Sequence, residues 1–270
     1  MQRAAIRIFL IRHGLSEANL DKSVNVHKPD FAVDLSPEGH EQARAAGRAL
    51  VDYLAASAVA EAAPSAETCA DAGTRRRARM LVSPYYRTRQ TADRVGEALT
   101  AAGIRFDRRE CEELREINFG IFDGLTDAEI KAEYPREHAH YEKHKAMSGE
   151  IFAPMPMGES RIQVGDRVKQ VFGTILRDAD PASGRAPILD FVVVAHGVSI
   201  RQFRQRWLHK PWEWAEGLKN PANCSIMMIE GRAGLRLGPD GASYAETPVF
   251  DGFAHVRKST QDIREEGRVA

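Results

Sequence analysis

Two stretches of the chain share one pattern, an unbroken run of β-branched, aliphatic and aromatic residues that stops at a histidine and a glycine. The first is Ile8-Phe9-Leu10-Ile11-Arg12-His13-Gly14 and the second Phe191-Val192-Val193-Val194-Ala195-His196-Gly197. Apolar runs without alternation suit a strand covered on both faces, so each predicts a strand inside a parallel sheet flanked by helices. In open α/β sheets the ligand crevice lies outside the carboxyl ends of the strands. Each strand delivers a histidine there, and the glycine after it lets the backbone turn sharply and approach a ligand. One such histidine would simply end a strand; two matched copies predict two imidazoles facing each other across a single pocket.

The remaining composition narrows the class. With 270 residues, 43% of them hydrophobic, the chain can bury a full core and is expected to form one domain over 1–270. Basic and acidic residues both number 38. No global field then draws nucleic acid or an anionic membrane, and any anion must be held by a local group of arginines. Cys69, Cys111 and Cys224 are far apart and lack C-x-x-C spacing, which fits reduced thiols better than a disulfide framework or a zinc site. Residues 1–5 lead directly into the first strand with no secretory apolar segment, and no run of 18 apolar residues could span a bilayer. The expectation is a cytoplasmic protein.

Along the chain, Ser36-Pro37-Glu38 opens a helix whose Ala43, Ala46, Leu50 and Leu54 share one face. Residues 56–78, rich in Ala, Glu and Asp and ending in Arg75-Arg76-Arg77, read as a poorly ordered insertion or a frayed helix extension. Met80-Leu81-Val82 predicts a second strand, ended by Ser83-Pro84, and a helix from Tyr85 to a stop at Gly103 carries Arg87 in its first turn, where helix N–H groups favour an anion. Ile104–Arg108 predicts another strand. Residues 120–158 change character and read as an excursion that could cover the pocket as a lid. Within it, His140 and His144 share a helical face while His138 does not; with no acidic or cysteine ligand fixed beside them, a solvated face is the reading rather than a metal site. A long helix is expected from Glu159-Ser160 through Val164, Val168, Val171, Ile175 and Leu176. Cys224–Ile229 predicts a buried strand, Gly234–Leu237 an edge hairpin with it, and the last fifteen residues a charged, mobile tail.

Arg12, His13, Asn19, Arg87 and His196 are thereby expected at one end of the sheet. Two guanidiniums, two imidazoles and an amide suit a tetrahedral dianion, and phosphate is the obvious guest. A neutral imidazole can attack phosphorus and hold it as a phosphoramidate. The leaving alkoxide then needs a proton from a carboxylic acid at the rim; of the four carboxylates between Glu110 and Glu116, Glu116 is favoured.

These residues carry a family likeness. Arg12-His13-Gly14 with Ser16 and Asn19, Leu35-Ser36-Pro37-Glu38-Gly39 with Gln42-Ala43, Ser83-Pro84-Tyr85-Tyr86-Arg87 with Gln90-Thr91-Ala92, Leu114-Arg115-Glu116 with Phe119-Gly120, Gly158-Glu159-Ser160, His196-Gly197 and Asn223 come one after another in order. Together they resemble the histidine phosphatase superfamily, in the branch of cofactor-dependent phosphoglycerate mutases and fructose-2,6-bisphosphatase. The resemblance implies an α/β three-layer sandwich, with a mostly parallel central sheet, an antiparallel edge and helices on both faces. It also implies a phosphomonoesterase working without metal or cofactor on a small phosphorylated substrate. His13 would be the nucleophile, Glu116 the proton donor and later the base for water, and Arg12, Arg87 and His196 the clamp on the phosphoryl group, with Asn19 a further contact. Departures bear on the activity. The mutases carry basic and tyrosine residues after their glutamate, whereas Ile117-Asn118-Phe119 stand here, and the acid phosphatase branch has an aspartate where Gly197 stands. A phosphoglycerate mutase-type phosphotransferase and a non-catalytic pseudophosphatase that binds phospho-ligands are the alternatives. Tyr134, Tyr141, Phe152, Met155 and Met157 of the excursion suit either an apolar leaving group or simple packing. Trp207, Trp212 and Trp214 suit either an interface or packing, so monomer and homodimer both stay open.

Overall fold

The apolar runs form the centre of one sheet. In a computed structural model that describes residues 5–61, 77–231 and 244–253, the strands are β1 (Ile6–Arg12), β2 (Arg77–Val82), β3 (Arg105–Glu110), β4 (Asp190–Ala195), β5 (Ile226–Gly231) and β6 (Tyr244–Phe250), in the order β3-β2-β4-β1-β5-β6. The first four are mutually parallel; β5 runs antiparallel to β1, and β6 antiparallel to β5 with a bulge at Ile226/Met227. Ten helices accompany them among the described residues: α1 (Glu17–Leu20), α2 (Val24–His27), α3 (Pro37–Glu61), α4 (Tyr86–Ala101), α5 (Asp127–Glu133), α6 (Pro135–Ser148), α7 (Arg161–Val168), α8 (Gln170–Asp178), α9 (Gly197–Trp207) and α10 (Trp212–Gly217).

Alternation along the central strands separates two cores. Ile8 and Leu10 of β1 with Phe191 and Val193 of β4 pack among Val164, Val168, Val171, Ile175 and Phe203 of α7, α8 and α9. Phe9, Ile11, Val192 and Val194 pack on the other face against Ala43, Ala46, Leu50 and Leu54 of α3 and Val95 and Leu99 of α4. Burial on both faces is why these strands read as continuous apolar runs, and the three-layer expectation holds. A small separate cluster of Phe122, Tyr141 and Ala153, with Ile130, Tyr134 and Met155 packed on it, gives the excursion after Gly120 its own core. Its tyrosines and Met155 therefore pack, whereas Met157 is 86% exposed. Trp207 is buried against Phe172 and Phe203.

Several boundaries shift from the sequence reading. The strand expected at Met80–Val82 begins at Arg77, because Arg79, 6% exposed, is held by Asp178 at 2.8 Å and reads as polar in sequence while sitting in the sheet. The strand expected over 104–108 runs from Arg105 to Glu110 in register with β2. The polar stretch after Gly14, for which the sequence shows no periodicity, contains the short helices α1 and α2. The single helix expected from 160 divides after Val168, where Phe172 N–H bonds the Lys169 carbonyl three residues back and tightens one turn. α3 continues to Glu61, into the segment read as an insertion; the rest of that segment through Arg76, Cys69, the Gly234–Leu237 hairpin and the charged tail lie outside the described residues. No described helix is long and apolar enough to cross a membrane.

Candidate active site

Strand register makes the site. Arg12 of β1 is paired with Ala195 of β4, and the His13 N–H donates to the Ala195 carbonyl at 3.1 Å, so the two histidines leave the sheet side by side. Their rings meet edge to face with centroids 5.2 Å apart. His13 is 4% and His196 0% exposed. Burial, then the charges of Arg87 and Arg12, hold the His13 imidazole well below the usual histidine range. Burial, Arg87, His13 and Arg12 do the same to His196.

Hydrogen bonds fix which nitrogen is which. His13 Nδ1 lies 2.7 Å from the Gly14 carbonyl, an acceptor only, so Nδ1 carries the hydrogen and Nε2 keeps its lone pair. His196 Nε2 meets the Ser83 hydroxyl at 2.8 Å, whereas its buried Nδ1 has no hydrogen-bond partner among the described residues.

The arginines arrive from two elements. Arg12 ends β1 and donates from Nη1 to the Pro221 carbonyl at 2.6 Å, while its buried Nε has no partner among the described residues. Arg87, in the first turn of α4 and 5% exposed, donates Nη1 to the Asp30 carbonyl at 2.5 Å and Nη2 to the Asp30 carboxylate at 3.2 Å. Tyr85, not singled out from sequence, lies between the two sides of the site, with its ring centroid 5.0 Å from the Arg87 guanidinium carbon and 5.1 Å from the His196 ring. Glu116 reaches the amino terminus of α9. Its carboxylate accepts from the Val198 N–H at 3.2 and 3.4 Å and from the Ser199 hydroxyl at 3.5 Å, and its charge acts on Arg12.

The structure thus brings Arg12, His13, Arg87, His196 and Glu116 together. Asn19 is different: its side-chain oxygen accepts from the Ser16 N–H at 3.2 Å and closes a capping box at the start of α1. That bond leaves the amide NH₂, the end able to donate to an anion, uninvolved. Several motif residues turn out to hold backbone rather than ligand. Thr91 accepts from the Gly14 N–H, Gln42 from Leu15, Gln90 from Leu35, and Asn223 donates to the His13 carbonyl. Ser36 accepts from the Gly39 N–H and caps α3. Gly14 is required for close approach, not for a turn of unusual sign: a Cβ there would lie 2.5 Å from the Gly39 carbonyl oxygen. On α6, His140 and His144 pair with ring centroids 6.4 Å apart and border a surface groove with Arg136 and Met155; His138 is not part of it.

Sheet order, paired histidines and flanking arginines define an α/β protein whose site is built at the carboxyl ends of parallel strands. Residues 8–74 and 53–236 match the family described as the histidine phosphatase superfamily, branch 1, and the chain belongs to that superfamily. Phosphoglycerate mutase-like protein AT74 of Arabidopsis thaliana is 33% identical over 229 residues, which cover 83% of this chain and 64% of that protein, so the match spans under two thirds of the relative's length. The broad-range acid phosphatase DET1 of Saccharomyces cerevisiae is 26% identical over 83% of this chain and 84% of its own. Among solved structures, native mycobacterial glucosyl-3-phosphoglycerate phosphatase superposes with a TM-score of 0.61 at 22% identity, covering 93% of this chain and all of that one, a likeness of fold.

Proposed function

We propose that the protein hydrolyses a small phosphate monoester through a phosphohistidine formed on His13, without metal or cofactor. The observation that carries this reading is the paired state of the two imidazoles: His13 Nε2 is a neutral nucleophile fixed by the bond from Nδ1 to Gly14, and His196 Nδ1 is buried with no partner beside it among the described residues. With the Ser83 hydroxyl donating to Nε2, His196 carries its hydrogen on Nδ1 and offers it to a phosphoryl oxygen. Arg12 and Arg87 neutralise the remaining charge, and the Asn19 amide adds a donor.

In the first step the His13 Nε2 lone pair forms a bond to phosphorus as the ester P–O bond breaks, and the leaving oxygen takes a proton from Glu116. In the second, water attacks phosphorus, Glu116 takes the water's proton, and the P–N bond breaks to return neutral His13 and inorganic phosphate. The two residues next after Glu116 favour hydrolysis over transfer to a second hydroxyl: Ile117 is 2% exposed in the core and the Asn118 side chain accepts from the Gly120 N–H, so neither position offers a cation to a phosphoglycerate. The reading extends to a single domain, to the segment 120–158 acting as a lid, and to a reducing, cytoplasmic setting, for which the free thiols Cys111 and Cys224 speak.

The test is phosphate release from p-nitrophenyl phosphate and a panel of sugar, glycerate and nucleotide monoesters with chelator present, for the intact protein and His13→Ala, joined to acid quenching of labelled enzyme. Chelator-resistant turnover, an acid-labile phosphoenzyme and loss of both in the variant are expected. Turnover that chelator abolishes, or that survives in His13→Ala, overturns the mechanism; transfer of phosphate to a second hydroxyl without release makes the protein a mutase.

A further inference from the structure

Glu116 sits on a turn with no regular partners. Between the 3-10 segment Glu112–Leu114 and Gly120 the chain runs outside any strand or helix. Buried carbonyls in irregular backbone need donors, and here Arg167 supplies most of them, with the Ser199 hydroxyl of α9 also donating to the Arg115 carbonyl at 2.8 Å. Arg167, in the last turn of α7 and 8% exposed, donates Nη1 to the carbonyls of Glu113 at 2.6 Å and Arg115 at 2.8 Å, and Nη2 to that of Glu116 at 2.9 Å. Its other two N–H groups grip Glu159, Nε to Oε1 at 2.8 Å and Nη2 to Oε2 at 2.9 Å. All five guanidinium N–H groups are thereby used. Glu159 in turn accepts from the Asn118 N–H at 3.0 Å and from the Arg115 side chain at 3.3 Å. The turn is held at residues 113, 115 and 116 by Arg167 and after Glu116 by Glu159, while α9 holds the carboxylate itself and adds the Ser199 hydroxyl to the Arg115 carbonyl.

We infer that Arg167, through its bonds to the carbonyls of residues 113, 115 and 116 and backed by Glu159, is the positioning residue that aims the Glu116 carboxyl group at the leaving oxygen. The inference rests on the role given to Glu116 above. Arg167 touches no reacting atom. Lysine cannot replace it, because one ammonium with three donors cannot span three carbonyls and a carboxylate in a fixed fork. A displacement of about 1 Å in a positioned group costs on the order of 10²-fold in rate, so loss of this grip falls on proton donation first.

Proton donation matters in proportion to the basicity of the leaving group. A nitrophenolate leaves without a proton, whereas an alkoxide does not. The experiment compares kcat/KM, which reports the phosphorylation step, for p-nitrophenyl phosphate and β-glycerophosphate in wild type, Glu116→Gln, Arg167→Lys and the double variant. Glu116→Gln is expected to lose about 10²–10⁴-fold on the alkyl ester and little on the aryl ester. Arg167→Lys is expected to show the same selectivity at about 10²-fold, and the double variant to be no worse than Glu116→Gln, since the two changes remove one function. Equal losses on both esters in Arg167→Lys, or losses that add in the double variant, assign Arg167 to folding alone and overturn the inference. A Glu116→Gln enzyme with no leaving-group selectivity removes the role of Glu116 and the inference with it. Should Arg167→Lys not fold, Glu159→Gln, which loosens the guanidinium without removing it, is read by the same ratio: a selective loss on the alkyl ester supports the inference and an equal loss on both sinks it.

Discussion

His13 and His196 stand edge to face with ring centroids 5.2 Å apart at the ends of adjacent parallel strands, and both are kept neutral by burial and by Arg87 and Arg12. That arrangement couples folding to pH. In the unfolded chain each imidazole titrates near 6.5, and in the folded protein well below it. Above that value neither state binds the proton and the shift contributes nothing. Below it the unfolded chain takes up protons that the folded protein refuses, so stability falls as pH falls, by roughly 1.4 kcal/mol per pH unit for each such histidine. Urea unfolding at pH 7 and pH 5.5 should show this loss, and His13→Gln should reduce it by roughly 1 kcal/mol. A variant with the same pH dependence as wild type would mean that His13 is not held neutral.

Arg87 does two jobs with one planar group. It anchors the segment around Asp30 through a backbone carbonyl at 2.5 Å and a carboxylate at 3.2 Å, and it lies beside both imidazoles. A lysine could make one of these contacts but not the fork. Arg87→Lys is therefore expected to fold and to lose on the order of 10²–10³-fold in kcat, the usual cost of removing one well-placed donor, with a parallel weakening of inhibition by inorganic phosphate. Activity within twofold of wild type would exclude Arg87 from the phosphoryl clamp.

How much could be read from the sequence depended on how each residue is buried. β1 and β4 are covered on both faces by apolar side chains, so their runs announced both the strands and the histidines beyond them. β6 was not legible because an edge strand of Tyr-Ala-Glu-Thr-Pro-Val-Phe, half exposed and containing Pro248, has no run to read. That Arg12, His13, Arg87, His196 and Glu116 converge was legible because the strand ends, the first turn of α4 and the motif order already placed them at one end of the sheet. Arg167 was not, since a side chain that binds main-chain carbonyls leaves no pattern in the residues it holds, and on α7 it reads as an ordinary exposed position.

The turn after His13 is locked by two glycines. A Cβ on Gly14 would come 2.5 Å from the Gly39 carbonyl oxygen, and one on Gly39 would come closer still to the Leu15 carbonyl oxygen. Neither obstacle is a flexible side chain. Gly14→Ala is expected to destabilise by about 1–3 kcal/mol, as overpacking does, and to lower activity beyond what the unfolded fraction explains, because the Gly14 carbonyl also orients His13. Chemical denaturation paired with activity per folded molecule separates the two effects. Full activity per folded molecule would show that the loop can shift without moving the imidazole.

Arg7 of β1 and Asp190 of β4 lie opposite each other in register and form an ion pair at 2.7 Å with side chains 7% and 3% exposed. Both charges are out of water at the amino ends of the two central strands, far along the sheet from the histidines at their carboxyl ends. Removing one partner takes from the other, still buried, the counter-charge that faces it, which typically costs about 3–5 kcal/mol. Asp190→Ala is expected to fall in that range by urea denaturation, while Arg7→Met combined with Asp190→Leu should lose much less, because the pair is then replaced by apolar side chains and not split. Activity per folded molecule should be unchanged in both, since the pair lies at the opposite ends of β1 and β4 from the imidazoles. A double variant as unstable as Asp190→Ala would show that the pair contributes through its own attraction rather than through the penalty of being split.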